Sequence, residues 1–272
     1  MFLSKDKKMP VKKLLNNLSK SIMLRKMEYI SDQQGIIRRY QREMPGWNIH
    51  LENSKRFILE SSKLKKKGKA MVLGSGWLLD CPVNELAREF EDVILVDIYH
   101  PKQIQKKLKH ITNVHFIQAD ITGGLIDLAY HTLNSNKKNF VKKFFPESKS
   151  FSFPISSDVD FVISLNILSQ LNIIITDYAK RFNHYSENEI TELSATIQQS
   201  HLNSLPKNKS CLICDYEEEL YDEENKLIGV NPLIFLNLPA GNFSKKWNWK
   251  FDTSMTYRDD TKTYLNVIAI DL

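Results

Sequence analysis

The chain has 272 residues, of which 42% are hydrophobic, so it is long enough for one large folded domain with a modest appendage. No apolar run reaches the roughly 20 residues that a membrane helix needs, and the first ten residues lack the apolar core and cleavage site of a secretory signal. The three cysteines are an odd number and too few for a disulfide scaffold. Together these features predict a cytoplasmic protein without a membrane span.

The net charge of +6 raises the question of an anionic partner. A basic surface is the electrostatic signature of nucleic-acid binding, so RNA is one interpretation. Lysine, asparagine and isoleucine are frequent together, however, and lysine outnumbers the arginine that phosphate recognition favours. The composition therefore favours a small-molecule partner, keeps nucleic acid as the alternative, and leaves the oligomeric state open.

Three helical patterns precede the first predicted strand. The first, from Val11 to Ile22, has its leucines on one face and is rich in lysine, which predicts an amphipathic, basic helix. The second runs from Gly35 to Met44 and is ended by Pro45-Gly46, and the third runs from about Asn53 to Leu64. We predict that residues 1–68 form a helical cap on a main domain made of the rest of the chain.

The first predicted strand leads into a glycine turn. Ala70 to Leu73 is a short apolar run, and Gly74-Ser75-Gly76 follows it. A turn of this kind lets a ligand approach backbone that carries no Cβ atom. Beyond Pro82, which suits a first helical turn, apolar residues recur with helical spacing as far as Phe90. Strand, glycine turn and helix in this order are typical of a unit that binds nucleotides.

Polar residues stand at the ends of the four strands that follow. Asp97 ends the apolar run from Val93 to Val96 and lies 21 residues beyond Gly76, about where a nucleotide-binding βαβ unit places a carboxylate for ribose hydroxyls. We expect Asp97 to stand at an open strand tip, where it takes no part in packing. Ligands of open α/β sheets bind outside the carboxyl ends of the strands, so the polar strand ends predict one site. The later strands end at Asp120, at Asn166 with Gln170, and at Asp215.

The last part of the chain predicts a closing antiparallel pair. Trp247 to Phe251 and Tyr264 to Ile270 alternate or run apolar, as such a pair would. The acidic run from Glu217 to Glu224 is interpreted as a solvated loop, and an acidic mouth for an amine substrate is the alternative. Cys211 and Cys214 lie in a predicted strand, where residues three apart point to opposite faces, so we interpret them as core residues and not as metal ligands.

The loop Gly74-Ser75-Gly76-Trp77-Leu78 after its strand resembles the first motif of the class I S-adenosylmethionine-dependent methyltransferases, a strand followed by a G-x-G-x-G loop. Leu78 stands where that motif has its third glycine, and Val72 stands where the family often carries an acid. The run from Asn166 to Leu171 resembles the family's fourth motif. A dinucleotide-binding loop would need glycine or alanine at Leu79, so the leucine there argues against NAD.

The resemblance covers about residues 69–272, and it implies an α/β fold with a seven-stranded, mostly parallel, doubly wound sheet of the Rossmann-like methyltransferase type. It also implies S-adenosylmethionine as the cofactor, with Asp97 at the ribose and Asp120 at the adenine amino group. The alternative for Asp120 is that it only caps the turn before Thr122. The residues implied at the cofactor are Gly74, Ser75, Gly76, Trp77, Leu78, Asp97, Ile98, Asp120, Ile121 and Asn166. The candidate substrate residues, from the cap and the strand ends, are Tyr40, Trp47, His50, Gln170 and Asp215.

The leading hypothesis is therefore an S-adenosylmethionine-dependent methyltransferase that acts on an unidentified small-molecule acceptor. The alternatives are a non-catalytic methyltransferase-like binding protein, a methyltransferase acting on RNA, and aminopropyl transfer or NAD chemistry on a related sheet. No catalytic base is assigned, because no acid, tyrosine or histidine has a catalytic motif around it. The sequence contains no metal-ligand spacing, nucleophile elbow or Walker-type loop, so no metal is predicted.

Overall fold

A computed structural model describes residues 20–133, 151–181 and 185–272, which build one mixed sheet with helices on both faces. The strands are β1 (Lys69–Leu73), β2 (Asp92–Asp97), β3 (Val114–Gln118), β4 (Phe161–Leu165), β5 (Ser210–Tyr221), β6 (Leu227–Pro232), β7 (Phe243–Asp252) and β8 (Lys262–Asp271). The helices are α1 (20–26), α2 (Tyr29–Arg42), α3 (Met44–Ser62), α4 (Val83–Glu89), α5 (Lys102–Leu108), α6 (Leu125–Leu133), α7 (Ile173–Lys180) and α8 (Glu187–Ser204).

The strand order across the sheet is β3-β2-β1-β4-β5-β8-β7, and β6 pairs with β5 beside this path. Neighbours from β3 to β5 are parallel, whereas β8 runs antiparallel to both β5 and β7. This topology confirms the predicted fold class, an α/β protein with a mostly parallel, doubly wound sheet of the Rossmann-like methyltransferase type. The predicted closing pair is β7 with β8. The described part of the sheet has eight strands and not seven, because β6 joins it.

Both faces of the central strands are covered, which explains their continuous apolar sequence. Along β1, Ala70 and Val72 pack into one hydrophobic cluster with α3 and α4, whereas Met71 and Leu73 pack into a second cluster with α6, α7 and α8. Successive side chains of a strand point to opposite faces, so a strand that is buried twice reads as an unbroken apolar run. Each cluster includes residues from both sides of the boundary between 68 and 69. The division into residues 1–68 and 69–272 stays a prediction.

The second predicted helix corresponds to α2, which ends at Arg42, close to its predicted end. Pro45-Gly46 nevertheless lies inside the next helix, because α3 begins at Met44 and not near Asn53 as predicted. Pro45 lies in the first turn of α3, where a proline loses no helical hydrogen bond. A Cβ atom at Gly46 would lie 2.8 Å from the Lys250 backbone oxygen, so the glycine allows α3 to approach β7 closely. The helix buries Trp47 and Phe57 in the cluster on its side of the sheet, which makes it a core element.

Strand β5 is longer than the sequence predicts, and the interpretation of the acidic run as a solvated loop is wrong for its first half. Glu217, Glu218 and Glu219 lie within β5 and pair with β8 on one side and β6 on the other. Glu218 is only 4% exposed, and its carboxylate lies 2.6 Å from Nη2 of Arg258. The acidic sequence predicts a loop, but β5 is paired with β6 and β8 on its two edges, and this pairing decides the structure. Sheet context commonly overrides the intrinsic strand propensity of a sequence.

The predicted basic helix from Val11 to Ile22 lies mostly outside the described residues. Its described part, residues 20–22, begins α1, and α1 with the turn after it places Met23, Leu24 and Met27 in the hydrophobic cluster with α6 and α7, where each is at most 4% exposed. In the ranges that the structure describes, no helix is long and apolar enough to cross a membrane.

Candidate functional site

The loop between β1 and α4 is pinned to the end of β2. Gly74 and Ser75 donate their backbone N–H groups to the Val96 carbonyl oxygen at 3.0 and 3.3 Å, and Gly76 donates to Asp97 Oδ2 at 2.8 Å. Gly74 and Gly76 have φ angles of +83° and +37°, which glycine adopts without strain. The structure therefore brings the glycine turn and the acid at the end of β2 into direct contact.

Asp97 is buried, and both of its carboxylate oxygens accept hydrogen bonds from the backbone. In addition to the bond from Gly76, Oδ1 accepts from the Tyr99 N–H at 3.1 Å, and the residue is 4% exposed. Burial raises the pKa of Asp97, while the bonds from Tyr99 and Gly76 act in the opposite direction. The expectation that Asp97 takes no part in packing is wrong, because its carboxylate holds the glycine loop in place.

Leu78 keeps the backbone conformation that a glycine would adopt. Its φ angle is +55°, in the left-handed region that costs a residue with a Cβ atom about 1–2 kcal/mol. Its N–H donates to the Ser75 carbonyl oxygen at 2.8 Å, and its side chain packs against the cluster that contains Val72. Replacement of the third glycine of the motif thus leaves the path of the loop intact.

Helix α2 lies over this loop and reaches the end of β3. Trp77 Nε1 donates to the Gln33 backbone oxygen at 2.6 Å, and the Gln33 side-chain oxygen lies 3.5 Å from where a Cβ atom at Gly76 would stand. Near the start of α2, burial raises the pKa of Tyr29, with the Asp120 carboxylate acting in the same direction. These interactions place α2 beside the glycine loop and near Asp120, and the role of the N-terminal helices as a cap stays a prediction.

Asp120 caps the turn at the start of α6. Oδ1 accepts from the Thr122 N–H at 2.8 Å and from the Thr122 hydroxyl at 2.6 Å, and Oδ2 accepts from the N–H groups of Gly124 at 3.1 Å and Ile126 at 3.2 Å. Burial raises the pKa of Asp120, and these hydrogen bonds oppose the shift. The structure shows the capping alternative for Asp120, and its contact with adenine stays a prediction.

Asn166, at the end of β4, is the centre of a second set of contacts beside the loop. Its Nδ2 lies 2.6 Å from Asp80 Oδ2 and 3.1 Å from His50 Nε2, while its Oδ1 has no hydrogen-bond partner. The end of β4 is close to the glycine turn, since a Cβ atom at Gly74 would lie 2.9 Å from the Leu165 carbonyl oxygen.

Within residues 20–133, 151–181 and 185–272, three buried polar atoms around the loop have no hydrogen-bond partner: Ser75 Oγ, Asn166 Oδ1 and Gln33 Oε1. Ser75 is 1% exposed and Asn166 is 8% exposed. An unpaired buried polar group costs about 1–3 kcal/mol. Three such atoms at one loop are the pattern expected where a polar ligand supplies the missing partners.

Trp47 and His50, two of the candidate substrate residues, lie on α3 and pack against β7. Trp47 is 2% exposed and donates its Nε1 hydrogen to the Phe251 carbonyl oxygen at 2.8 Å, and the Tyr40 ring centroid lies 6.0 Å from that of Trp47. The His50 ring stacks on Trp249 with 3.8 Å between ring centroids. These contacts stabilise the cap on the sheet, and contact of Tyr40, Trp47 and His50 with a substrate stays a prediction.

The remaining predicted residues differ in exposure. Asp215 lies within β5 and not at its end, so its predicted place at a strand end is wrong. It is 6% exposed and accepts from the Ser169 hydroxyl at 2.8 Å, and burial raises its pKa against that hydrogen bond. Gln170 is exposed. Ile98 and Ile121 pack in the hydrophobic cluster with α6, and the Ile98 carbonyl oxygen accepts from the Gln118 side-chain amide at 2.9 Å. Contact of these residues with a ligand stays a prediction.

Sequence reasoning missed Gln33, Asp80 and Ser169, all of which contact a predicted residue. Asp80 is the one with a local signal, since it is an acid just beyond the glycine loop. In the described ranges, no group of three or more His, Cys, Asp or Glu side chains is arranged to hold a metal ion. Cys211 and Cys214 belong to clusters on opposite faces of the sheet, which confirms their interpretation as core residues.

Replacing Gly74 with alanine is expected to lower the free energy of unfolding by about 1–3 kcal/mol, because the residue has a left-handed backbone. The added Cβ atom would also lie 3.0 Å from Ile167 Cβ. Chemical denaturation measures the change. Gly35→Ala in α2 is the matched control, since nothing lies within 4 Å of its Cβ position and alanine stabilises a helix by about 0.5–1 kcal/mol. Equal changes in the two variants would contradict the described loop.

Comparison with protein-family models finds no match. Comparison with curated proteins also finds none. Among solved structures, the chain is similar to the crystal structure of N-methyltransferase NodS from Bradyrhizobium japonicum WM9 in complex with S-adenosyl-L-homocysteine. The identity is 11% and the TM-score is 0.39, and the alignment covers 84% of this chain and 89% of that chain.

Proposed function

We propose that this protein is an S-adenosylmethionine-dependent methyltransferase that acts on a small-molecule acceptor. The observation that carries the proposal is the hydrogen bond between Gly76 and Asp97, which joins a glycine turn at the end of β1 to a buried carboxylate at the end of β2. In nucleotide-binding α/β proteins the glycine turn after the first strand lets the ligand approach the backbone, and an acid about 20 residues further on binds the ribose. The resemblance of the loop from Gly74 to Leu78 to the first methyltransferase motif supports the same conclusion.

The residues around the loop suit this cofactor. Ser75, Asn166 and Gln33 each present a buried polar atom without a protein partner, and S-adenosylmethionine carries hydroxyl, carboxylate and ammonium groups that would pair with them. Asp97 would accept hydrogen bonds from the ribose hydroxyls. Leu79 stands where a diphosphate would require glycine or alanine, which disfavours NAD.

When bound, the cofactor supplies a methyl group that is activated by a sulfonium. The protein then has to hold the acceptor in line with that group, and such positioning supplies most of the rate enhancement. Helix α2, fixed by the bond from Trp77 to Gln33, would keep water away from the strand ends. Asp215 lies at the same edge, and the burial that raises its pKa favours uptake of a proton. No catalytic base is assigned.

A methyltransferase-like protein that binds without catalysis is the second candidate. Both Asp97 oxygens already accept hydrogen bonds from the protein, and Leu78 stands at the third glycine of the motif. Incubation with methyl-labelled S-adenosylmethionine and fractions of a cell extract separates the candidates. Label in a small-molecule fraction supports the leading proposal, label in RNA supports the RNA alternative, and no label in any fraction favours the non-catalytic protein.

Calorimetric titration tests the choice of cofactor. We expect S-adenosylmethionine and S-adenosylhomocysteine to bind more tightly than NAD or NADH. The two dinucleotides carry a diphosphate, whose close approach Leu79 obstructs, whereas the two sulfur compounds carry none. The control is a competition experiment, in which saturating S-adenosylhomocysteine should abolish any heat that NADH produces at this site. Tighter binding of the dinucleotide would overturn the proposed function.

A further inference from the structure

A chain of polar contacts runs from β7 to the loop beyond Gly76, and we call it the Trp247–Asp80 chain. Trp247 Nε1 lies 3.1 Å from His50 Nδ1, His50 Nε2 lies 3.1 Å from Asn166 Nδ2, and Asn166 Nδ2 lies 2.6 Å from Asp80 Oδ2. His50 is 1% exposed and Asn166 is 8% exposed, so water cannot readily replace the partners that these two side chains have in the Trp247–Asp80 chain. The position of each proton then follows from what each group can donate or accept.

The Trp247–Asp80 chain of polar contacts determines which nitrogen of His50 carries the proton. An indole N–H donates and cannot accept, so Nδ1 of His50 must be the acceptor for Trp247. Burial lowers the pKa of His50 to about 3, which leaves the ring neutral near neutral pH with its single proton on Nε2. That N–H then faces the Asn166 amide nitrogen, which also carries hydrogens and accepts no hydrogen bond.

Turning the Asn166 amide by half a turn removes this conflict, because its oxygen then accepts from the His50 Nε2–H. The exchange of oxygen and nitrogen hardly changes the shape of the side chain. The same oxygen then stands beside Asp80, at a position 2.6 Å from Oδ2. Two bare oxygens at that distance repel each other, whereas a protonated carboxyl group would donate across it.

We propose that Asp80 is held as a neutral carboxylic acid that donates to the Asn166 side-chain oxygen, which makes Asp80 a positioning residue for Asn166. The Asn166 NH2 group then takes the place of the amide oxygen, which has no hydrogen-bond partner among the described residues. It would donate to an acceptor oxygen of the ligand at the glycine loop. The identity of that ligand rests on the proposed function, but the proton on Asp80 does not.

The surroundings of Asp80 fit a neutral acid. Asp80 is half-buried, and burial raises its pKa. Lys55 of α3 acts in the opposite direction, as would an N–H from the Asn166 amide, but the turned amide presents its oxygen to Asp80 and does not stabilise the ionised form. The other titratable groups that face it are His50, which is neutral, and the Cys81 thiol, whose pKa is raised by burial and by Asp80 itself. Lys55 is therefore the group that would favour an ionised Asp80.

Two spectroscopic measurements without ligand test the proton assignment. At neutral pH, nitrogen NMR of the imidazole should show His50 with its proton on Nε2, and the infrared spectrum should contain the C=O stretch of a protonated carboxyl that disappears in Asp80→Asn. Other carboxyl groups absorb nearby, so the difference spectrum between wild type and Asp80→Asn isolates this band. Glu91→Gln, an exposed acid, is the control that should leave that region unchanged. Absence of the band, or a proton on Nδ1, would overturn the proposal.

Titration with S-adenosylhomocysteine tests the positioning role. Asp80→Asn can still donate to Asn166, so we expect its affinity within about twofold of wild type, whereas Asp80→Ala should lose about threefold to tenfold, the value of one hydrogen bond. The folded-state pKa of Asp80 is raised, so wild-type affinity should be constant at low pH and fall as pH rises through that pKa. Asp80→Asn should lack this fall.

The outcomes separate the two proposals. Equal losses in Asp80→Asn and Asp80→Ala, with a wild-type affinity that is flat between about pH 5 and pH 9, would show an ionised Asp80 and overturn the inference. If S-adenosylhomocysteine binds neither wild type nor variants, the proposed function fails. The infrared and nitrogen spectra of the free protein still decide whether Asp80 carries the proton.

Discussion

Replacing Asp271 with alanine is expected to lower the free energy of unfolding by about 3–5 kcal/mol, the range measured when one partner of a buried ion pair is removed. The Asp271 side chain is 0% exposed, and its Oδ1 lies 2.9 Å from Nζ of Lys65, which is 3% exposed. It also accepts from the hydroxyl of Ser61 and, through Oδ2, from the side-chain amide of Asn242 at 2.9 Å. Alanine would leave the Lys65 ammonium group buried without a counter-charge. Urea denaturation monitored by two probes measures the loss.

The matched control is Glu60→Ala, which breaks the exposed pair between Glu60 and Lys245. Exposed pairs are worth about 0–1 kcal/mol, so this change should be small. The double variant Lys65→Met/Asp271→Asn should recover part of the stability, because it leaves no buried charge and the asparagine oxygen can still accept from Ser61. A loss below about 1 kcal/mol in Asp271→Ala would show that this pair is not buried as described.

Replacing Asp97 with alanine is expected to weaken the binding of S-adenosylhomocysteine about tenfold or more, because hydrogen bonds to a charged group contribute about 1.5–3 kcal/mol. The same change should lower the free energy of unfolding by about 1–3 kcal/mol, because the buried N–H groups of Gly76 and Tyr99 lose their acceptor. Calorimetric titration at a temperature where the variant is fully folded separates the two effects.

Asp92→Ala is the control for this variant. Asp92 begins the same strand, but its side chain is 40% exposed and contacts His115 Nε2 at 3.0 Å on the surface. We expect both affinity and stability to stay close to wild type. If both folded variants showed the same negligible change in affinity, the ligand site would not lie at this edge of the sheet.

The parts of the fold that the sequence predicts are those with local signals. The apolar run of β1, the glycine turn and the helical stripe of α4 each depend on neighbouring residues, and all three lie where they were predicted. Pro45 was misread because a proline in the first helical turn and a proline beyond the last one look alike in sequence. Only the close approach of α3 to Lys250, on a strand far along the chain, distinguishes them.

Long-range contacts explain the remaining errors. Glu217 and Glu219 look like loop residues, but the Asn266 side chain of β8 donates to both of their carboxylates, at 3.0 and 2.9 Å. No window of neighbouring sequence contains that partner. The same reason hides the contact of Asn166 with Asp80, which is 86 residues away along the chain. The sequence therefore predicted the polar groups at the ends of β2, β3 and β4, but it wrongly placed Asp215 at a strand end. It also could not predict which of these groups are already paired.

A crystal structure of the protein grown with S-adenosylhomocysteine tests the central claim most directly. The proposed function predicts the ribose hydroxyls at about 2.6–3.2 Å from the Asp97 carboxylate, with the glycine turn against the ligand and the Asn166 side chain hydrogen-bonded to it. A ligand bound elsewhere on the protein, or an empty sheet edge in crystals grown at saturating ligand, would contradict the account.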